Sequence, residues 1–207
     1  MEMEFSACFT GHRTVEAGQG PLVRERLEKI IRFLYDHREI RFFICGGALG
    51  FDTLAAEAVL AFRRSHPQAR LILAIPCPEQ AARWRLKDQQ EYNRILAEAD
   101  ERVLVSPQYV TGCMLRRNRW MVDHASVCVC YMRAAGSGTG YTVRYALEQH
   151  RELVNLAMPA LLEPIRMKEP LEWNCTFTSL SAGKNARTVP FRPFPAGRIH
   201  LKRILKP

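Results

Sequence analysis

Phe42-Phe43-Ile44-Cys45-Gly46-Gly47-Ala48-Leu49-Gly50-Phe51-Asp52-Thr53-Leu54-Ala55-Ala56 is the stretch that decides the fold. A short apolar run suited to a buried strand meets three glycines, then an alanine-rich segment suited to a helix. A strand that turns on glycines into a helix is the layout that cradles phosphates. Glycine lets the backbone approach a ligand, and the helix N-terminus offers free N–H groups and a partial positive charge. The same layout returns over residues 127–143, where Val127–Tyr131 leads into Gly136-Ser137-Gly138-Thr139-Gly140 and then Tyr141-Thr142-Val143. Two such turns point to a nucleotide-derived ligand. They do not say whether it is cleaved, sensed or held.

Outward from these turns, strands and helices alternate. Strands are expected at Ser6–Thr10, Arg41–Cys45, Arg70–Ile75, Arg102–Val105, Val127–Tyr131 and Val154–Ala157. Helices are expected at Leu22–His37, Asp52–Ser65, Glu79–Ala99 (in one or two pieces), Met114–His124 and Tyr141–Glu152. The strands are apolar runs rather than alternating ones, which marks a parallel sheet covered on both faces. The fold class is therefore α/β, a three-layer arrangement with a mostly parallel sheet between helices. Residues 1–160 form the ligand-binding domain on this reading. Residues 161–207, rich in proline, form an irregular basic C-terminal extension.

The composition, 47% hydrophobic and 25% charged, is that of a globular chain and excludes fibrous and disordered classes. No apolar run reaches the roughly 18 residues needed to span a bilayer. The acidic start, Met1-Glu2-Met3-Glu4, does not read as a signal peptide. The seven cysteines are odd in number and fall mostly in apolar runs. That usage, with no CxxC pair, favours reduced thiols in the cytoplasm over a disulfide framework or a zinc site. The net charge of +9 is uneven. Residues 165–207 carry nine basic and two acidic side chains, so the body is close to neutral. Basicity is thus weak evidence that the main domain binds nucleic acid.

In open parallel sheets ligands bind outside the carboxyl ends of the strands. Gly11, His12 and Arg13 follow the first strand, and Gly46, Gly47 and Gly50 follow the second. Gly138, Thr139 and Thr142 follow the fifth. Neither turn ends in a Walker lysine, which disfavours an NTP-hydrolysing P-loop. Arg13 would neutralise a phosphate and His12 would supply a hydrogen bond. Asp52 either stabilises a helix start or accepts hydrogen bonds from a ribose or base. Arg116, Arg117 and Arg119 crowd one helix, where Arg119 is spaced for an ion pair with Asp123. Trp84, Asp88 and Tyr92 share a helical face, where packing or base stacking would explain the tryptophan.

Thr10-Gly11-His12-Arg13, Gly46-Gly47-Ala48-Leu49-Gly50-Phe51-Asp52, Ile75-Pro76-Cys77 with Gln80, Trp84 and Tyr92, and Arg117-Asn118-Arg119 with Gly138-Thr139 together resemble the YpsA-type (DUF1273) branch of the SLOG superfamily. That superfamily groups DprA/Smf with the LOG phosphoribohydrolases. The resemblance covers about Ser6–Leu156 and implies a Rossmann-like fold with a nucleotide-derived ligand at the glycine turns. It also implies self-association as a homo-oligomer. In the LOG enzymes Arg-Lys-x-x-Met precedes Gly-Gly-x-Gly-Thr-x-x-Glu, and the Arg and Glu serve catalysis. Arg117 stands at that arginine's place, and Thr142 stands where the carboxylate should be. A threonine cannot act as a carboxylate base. The sequence therefore reads as a binder or sensor of a nucleotide-derived small molecule, with no catalytic residue, metal or cofactor assigned. Gly11, His12, Arg13, Gly46, Gly47, Gly50, Asp52, Arg117, Gly138, Thr139 and Thr142 would form its site. Two alternatives stand beside it. One is a LOG-like N-glycosidase in which Asp52 or Glu57 replaces the missing carboxylate. The other is a DprA-like binder of single-stranded DNA using the basic extension.

Overall fold

Six strands lie in the order β4-β3-β2-β1-β5-β6, and every neighbouring pair is parallel. They are β1 (Ser6–Gly11), β2 (Phe42–Cys45), β3 (Arg70–Ile75), β4 (Glu101–Leu104), β5 (Val127–Tyr131) and β6 (Glu152–Asn155). Five helices connect them: α1 (Gly20–His37), α2 (Phe51–Arg63), α3 (Leu86–Glu98), α4 (Cys113–Asp123) and α5 (Gly138–Glu148). This computed structural model describes residues 1–134 and 136–157. The extension expected over 161–207 lies outside them.

The chain first adds strands outward from β1 to β4. It then returns through α4 to place β5 on the other side of β1, in register from Ala7↔Val127 to Gly11↔Tyr131. This reversal is a topological switch point, and the loops leaving β1 and β5 meet there. Periodicity explains the layers. Phe9, Phe43, Leu71, Leu73 and Val129 pack with Val23, Leu27 and Ile31 of α1 and with Ala55 and Val59 of α2. The intervening strand residues Cys8, Ile44, Ile72 and Cys128 pack with Met121 and Val122 of α4 and Ala146 of α5. Both faces of β1, β2, β3 and β5 are covered, so these strands are almost wholly apolar, whereas the edge strand β4 is largely exposed and carries Glu101 and Arg102.

Most boundaries fall where periodicity puts them. Pro21 sits in the first turn of α1, where its missing N–H costs nothing. The segment 79–99 splits into a 3-10 turn at Pro78–Ala81 and α3. The last helix differs from expectation. It begins at Gly138 rather than Tyr141, because Ser137 Oγ accepts from Gly140 N at 3.3 Å and caps it. It ends at Glu148, and His150 takes φ of 55°. Glu152 then opens β6. Among the described residues no helix is long and apolar enough to cross a membrane.

Candidate functional site

The first glycine turn is shaped by what lies beneath it. A Cβ on Gly46 would collide with the Arg117 guanidinium and come within 2.7 Å of Asp52 Oδ2. Gly50 takes φ of +78°, and a Cβ there would strike the Arg13 carbonyl group. Side chains are excluded at the first position by close approach, and at the second by strain and collision together. Gly11 leaves room for the Phe51 ring at the end of β1. Gly47 lies against Tyr92 and Gln80, and Gln80 Nε2 donates to Gly47 O at 2.9 Å. The other amide atom, Gln80 Oε1, is buried and finds no partner among the described residues.

Asp52 and Arg117 form the buried polar centre below this turn. Each is 5% exposed. Asp52 Oδ2 accepts from Ala48 N at 3.3 Å. Arg117 donates to Gly46 O and, at 3.2 Å, to Ala74 O. Burial raises the Asp52 carboxyl to about 6, against the opposing pull of Arg117 and the Ala48 and Gly46 amides. Burial likewise lowers Arg117, and Asp52 partly restores it. Asp52 lies in the first turn of α2, and its carboxylate reaches back to close the loop at Ala48.

The two glycine turns are joined by side chains. Arg117 Nε donates to Asn118 Oδ1 at 2.8 Å, and Asn118 Nδ2 donates to Thr142 Oγ1 at 2.8 Å. Thr142 Oγ1 in turn donates to Gly138 O at 2.9 Å. An unbroken chain thus runs from Gly46 through Arg117, Asn118 and Thr142 to Gly138. Thr142 is 1% exposed and its hydroxyl is fully engaged. Thr139 is also buried. Around Gly136 and Gly138 there is open space.

His12 fastens the end of β1. Its carbonyl accepts from Phe51 N at 3.2 Å, and its Nε2 accepts from Arg133 N at 3.0 Å. Nε2 is therefore the bare nitrogen, with hydrogen on Nδ1. Arg133 also pairs with Glu16. Arg13 is exposed and lines a cleft of about 570 Å³. Gly47, Gly50 and Thr53 form one wall, and Trp84, Arg85, Asp88 and Tyr92 the other. Trp84 and Tyr92 meet edge to face at 5.5 Å. The α2 N-terminus at Gly50 has no side-chain cap. Among the described residues the Leu49, Gly50 and Thr53 amides find no acceptor.

The structure thus gathers Arg13, Gly47 and Gly50 on one cleft and sets Gly46, Asp52 and Arg117 beneath it. Thr142, and through it Gly138, is tied to it by Asn118, and Thr139 is buried in the same turn. Arg85 carried no sequence signal, since the basic side chains of Arg83-Trp84-Arg85-Leu86-Lys87 read as a solvated face. Arg119 turns to Tyr141 and Tyr145 rather than to Asp123, which accepts from the Tyr145 hydroxyl at 2.9 Å. Glu57 is held between Arg24 and Arg94, each at 3.0 Å. Among the described residues no cluster of three His, Cys, Asp or Glu side chains could hold a metal ion.

The YpsA family model, described as the YspA SLOG family, matches residues 8–159. The chain belongs to this YpsA family of SLOG proteins. The prophage-derived protein YoqJ of Bacillus subtilis is 29% identical over 60% of this chain and 80% of YoqJ. A UPF0398 protein of Halalkalibacterium halodurans is 33% identical over 64% of this chain and 73% of that protein. Among solved structures, DNA processing protein A of Helicobacter pylori, studied for its single-stranded DNA binding mode, superposes with a TM-score of 0.52 at 19% identity. The match covers 73% of this YpsA-family chain but only 64% of that protein, and it is a likeness of fold.

Proposed function

We propose that this YpsA-family domain is a cytoplasmic sensor or carrier that binds a nucleotide-derived ligand in the cleft above the first glycine turn. The cleft itself carries the proposal. It joins uncapped amides at the start of α2 to two arginines and an aromatic corner. Anions are favoured at such a helix start, Arg13 and Arg85 add charge, and Trp84 offers a face for a base. Asp88 can accept from ribose hydroxyls. On this reading the second turn, which does not itself line the cleft, reaches the ligand past the Asn118 bridge, and Gly138 leaves room for it. What favours binding over LOG-type hydrolysis is Thr142. It replaces the carboxylate and its hydroxyl is engaged inside the protein. Glu57 is held in surface ion pairs. Asp52 lies under the turn.

The test is a thermal-shift panel of nucleoside phosphates, NAD and ADP-ribose. At least one ligand raises Tm, and Arg13→Glu and Gly138→Asp remove the shift. Both positions are open, so neither substitution disturbs the core. No shift across the whole panel refutes the proposal. Free adenine released from AMP at a catalytic rate would establish the enzyme reading instead.

A second reading is binding of single-stranded DNA. It draws on the fold shared with the Helicobacter pylori protein and on the nine basic residues of 165–207. Deleting 165–207 should weaken oligonucleotide binding and flatten its salt dependence. Unchanged affinity would exclude the extension.

A further inference from the structure

A second cavity, of about 500 Å³, opens on the other side of Tyr92, which lines both. Its walls are Ile75 at the end of β3, Pro78 and Ala81 of the 3-10 turn, Leu96 of α3 and Leu104 at the end of β4. The two cavities differ in charge. The first is lined by Arg13, Arg85, Asp88 and Glu91, whereas the lining of the second, among the described residues, carries no charged side chain. Its polar groups are the amides of Gln89 and Asn93. Gln89 Nε2 is engaged with Trp84 O at 2.9 Å. The Asn93 amide finds no partner among the described residues. Leu104 is 50% exposed there.

We infer that this second cavity is a subsite for the uncharged second base of a two-base nucleotide whose phosphate and first base occupy the first cleft. The inference rests on the proposed nucleotide-binding function. Small-molecule sites run from roughly 300 to 1,000 Å³, so the first cleft alone accommodates a mononucleotide. A further apolar cavity against the same aromatic ring is surplus to a one-base ligand. A flat heterocycle suits it on three counts. It stacks on aliphatic and aromatic surface, it carries no charge, and its edge pairs with an amide that both donates and accepts. Tyr92 stands between the two subsites and gives each of them a ring contact.

The test is calorimetry on the full chain with AMP, with the phosphodiester dinucleotide pApA and with the pyrophosphate-linked diadenosine diphosphate, both of whose bases are uncharged. The wild type binds one of the two-base ligands on the order of tenfold more tightly than AMP. The preferred one tells whether the link is a phosphodiester or a pyrophosphate. Leu104→Asp brings that ligand back to the AMP level and leaves AMP unchanged. Asn93→Ala, at an exposed helical position, weakens the same ligand by a smaller factor. Equal affinity for AMP and both two-base ligands overturns this inference and leaves the first cleft standing. No binding of any nucleotide overturns both. Equal weakening of AMP and dinucleotide by Leu104→Asp also overturns it. So does a dimer that Leu104→Asp dissociates while dinucleotide affinity is unchanged, which would give the groove to a second copy of the chain.

Discussion

Asp52→Asn isolates the electrostatics of the first turn. The folded-state carboxyl lies at about 6 against an ordinary 3.8, a rise of about two pH units. Each unit is worth about 1.4 kcal/mol, so the ionised carboxylate costs the fold about 3 kcal/mol. The sign follows from proton binding. Between pH 4 and 6 the folded chain holds a proton on Asp52 that the unfolded chain has released. Stability from this group is therefore fully present below about pH 4 and is lost as pH rises through 6. Asparagine does not titrate and keeps an oxygen for the Ala48 amide. Urea denaturation of both proteins at pH 4, 5, 6 and 7 gives the difference directly, since all other groups titrate in common. The wild type should lose about 3 kcal/mol relative to Asp52→Asn between pH 4 and 7. A flat difference would mean that Arg117 and the two amides cancel the burial cost. A difference of opposite sign would mean that they exceed it. Either result refutes the account of Asp52 as a carboxyl governed by desolvation.

Three further outcomes follow from the same centre. Arg117→Met leaves the Gly46 and Ala74 carbonyls without their donor and Asp52 without its neighbouring cation. It should cost about 3–5 kcal/mol in urea denaturation, and a loss below about 1 kcal/mol would show that the guanidinium does not hold the turn. Gly46→Ala should cost about 1–3 kcal/mol through overpacking, while Gly136→Ala, in open space, should stay within about 0.5 kcal/mol. Asn118→Ala and Thr142→Val should each cost about 1–3 kcal/mol. A double-mutant cycle should show coupling of at least about 0.5 kcal/mol, and strict additivity would break the proposed link between the turns.

Local periodicity made the fold legible. Buried strands in a parallel sheet are continuous apolar runs, and Val23, Leu27, Ile31 and Leu34 trace one face of α1 at helical spacing. The N-terminus of α5 was placed late because Gly138 and Gly140 lower helix propensity, and only the Ser137 cap overrides them. Arg13 and Gly47 were legible because each lies two residues beyond a strand, and Gly50 because it opens the next helix. The depth of Arg117 was not. A basic residue in an Arg116-Arg117-Asn118-Arg119 run reads as a solvated face, and its burial depends on Gly46 and Ala74, which are distant in sequence. The same holds for Gln80, whose partner is Gly47.

Arg117 and Asn118 are adjacent in sequence, yet Arg117 grips one bend of the backbone directly and Asn118 reaches the other through Thr142. Those bends leave strands on either side of the central β1, so one short arc of α4 acts as a shared axle for both. Displacing either bend therefore loads a hydrogen bond made from that arc, and the same helix lays Arg119 over Tyr141 and Tyr145 on its outer side.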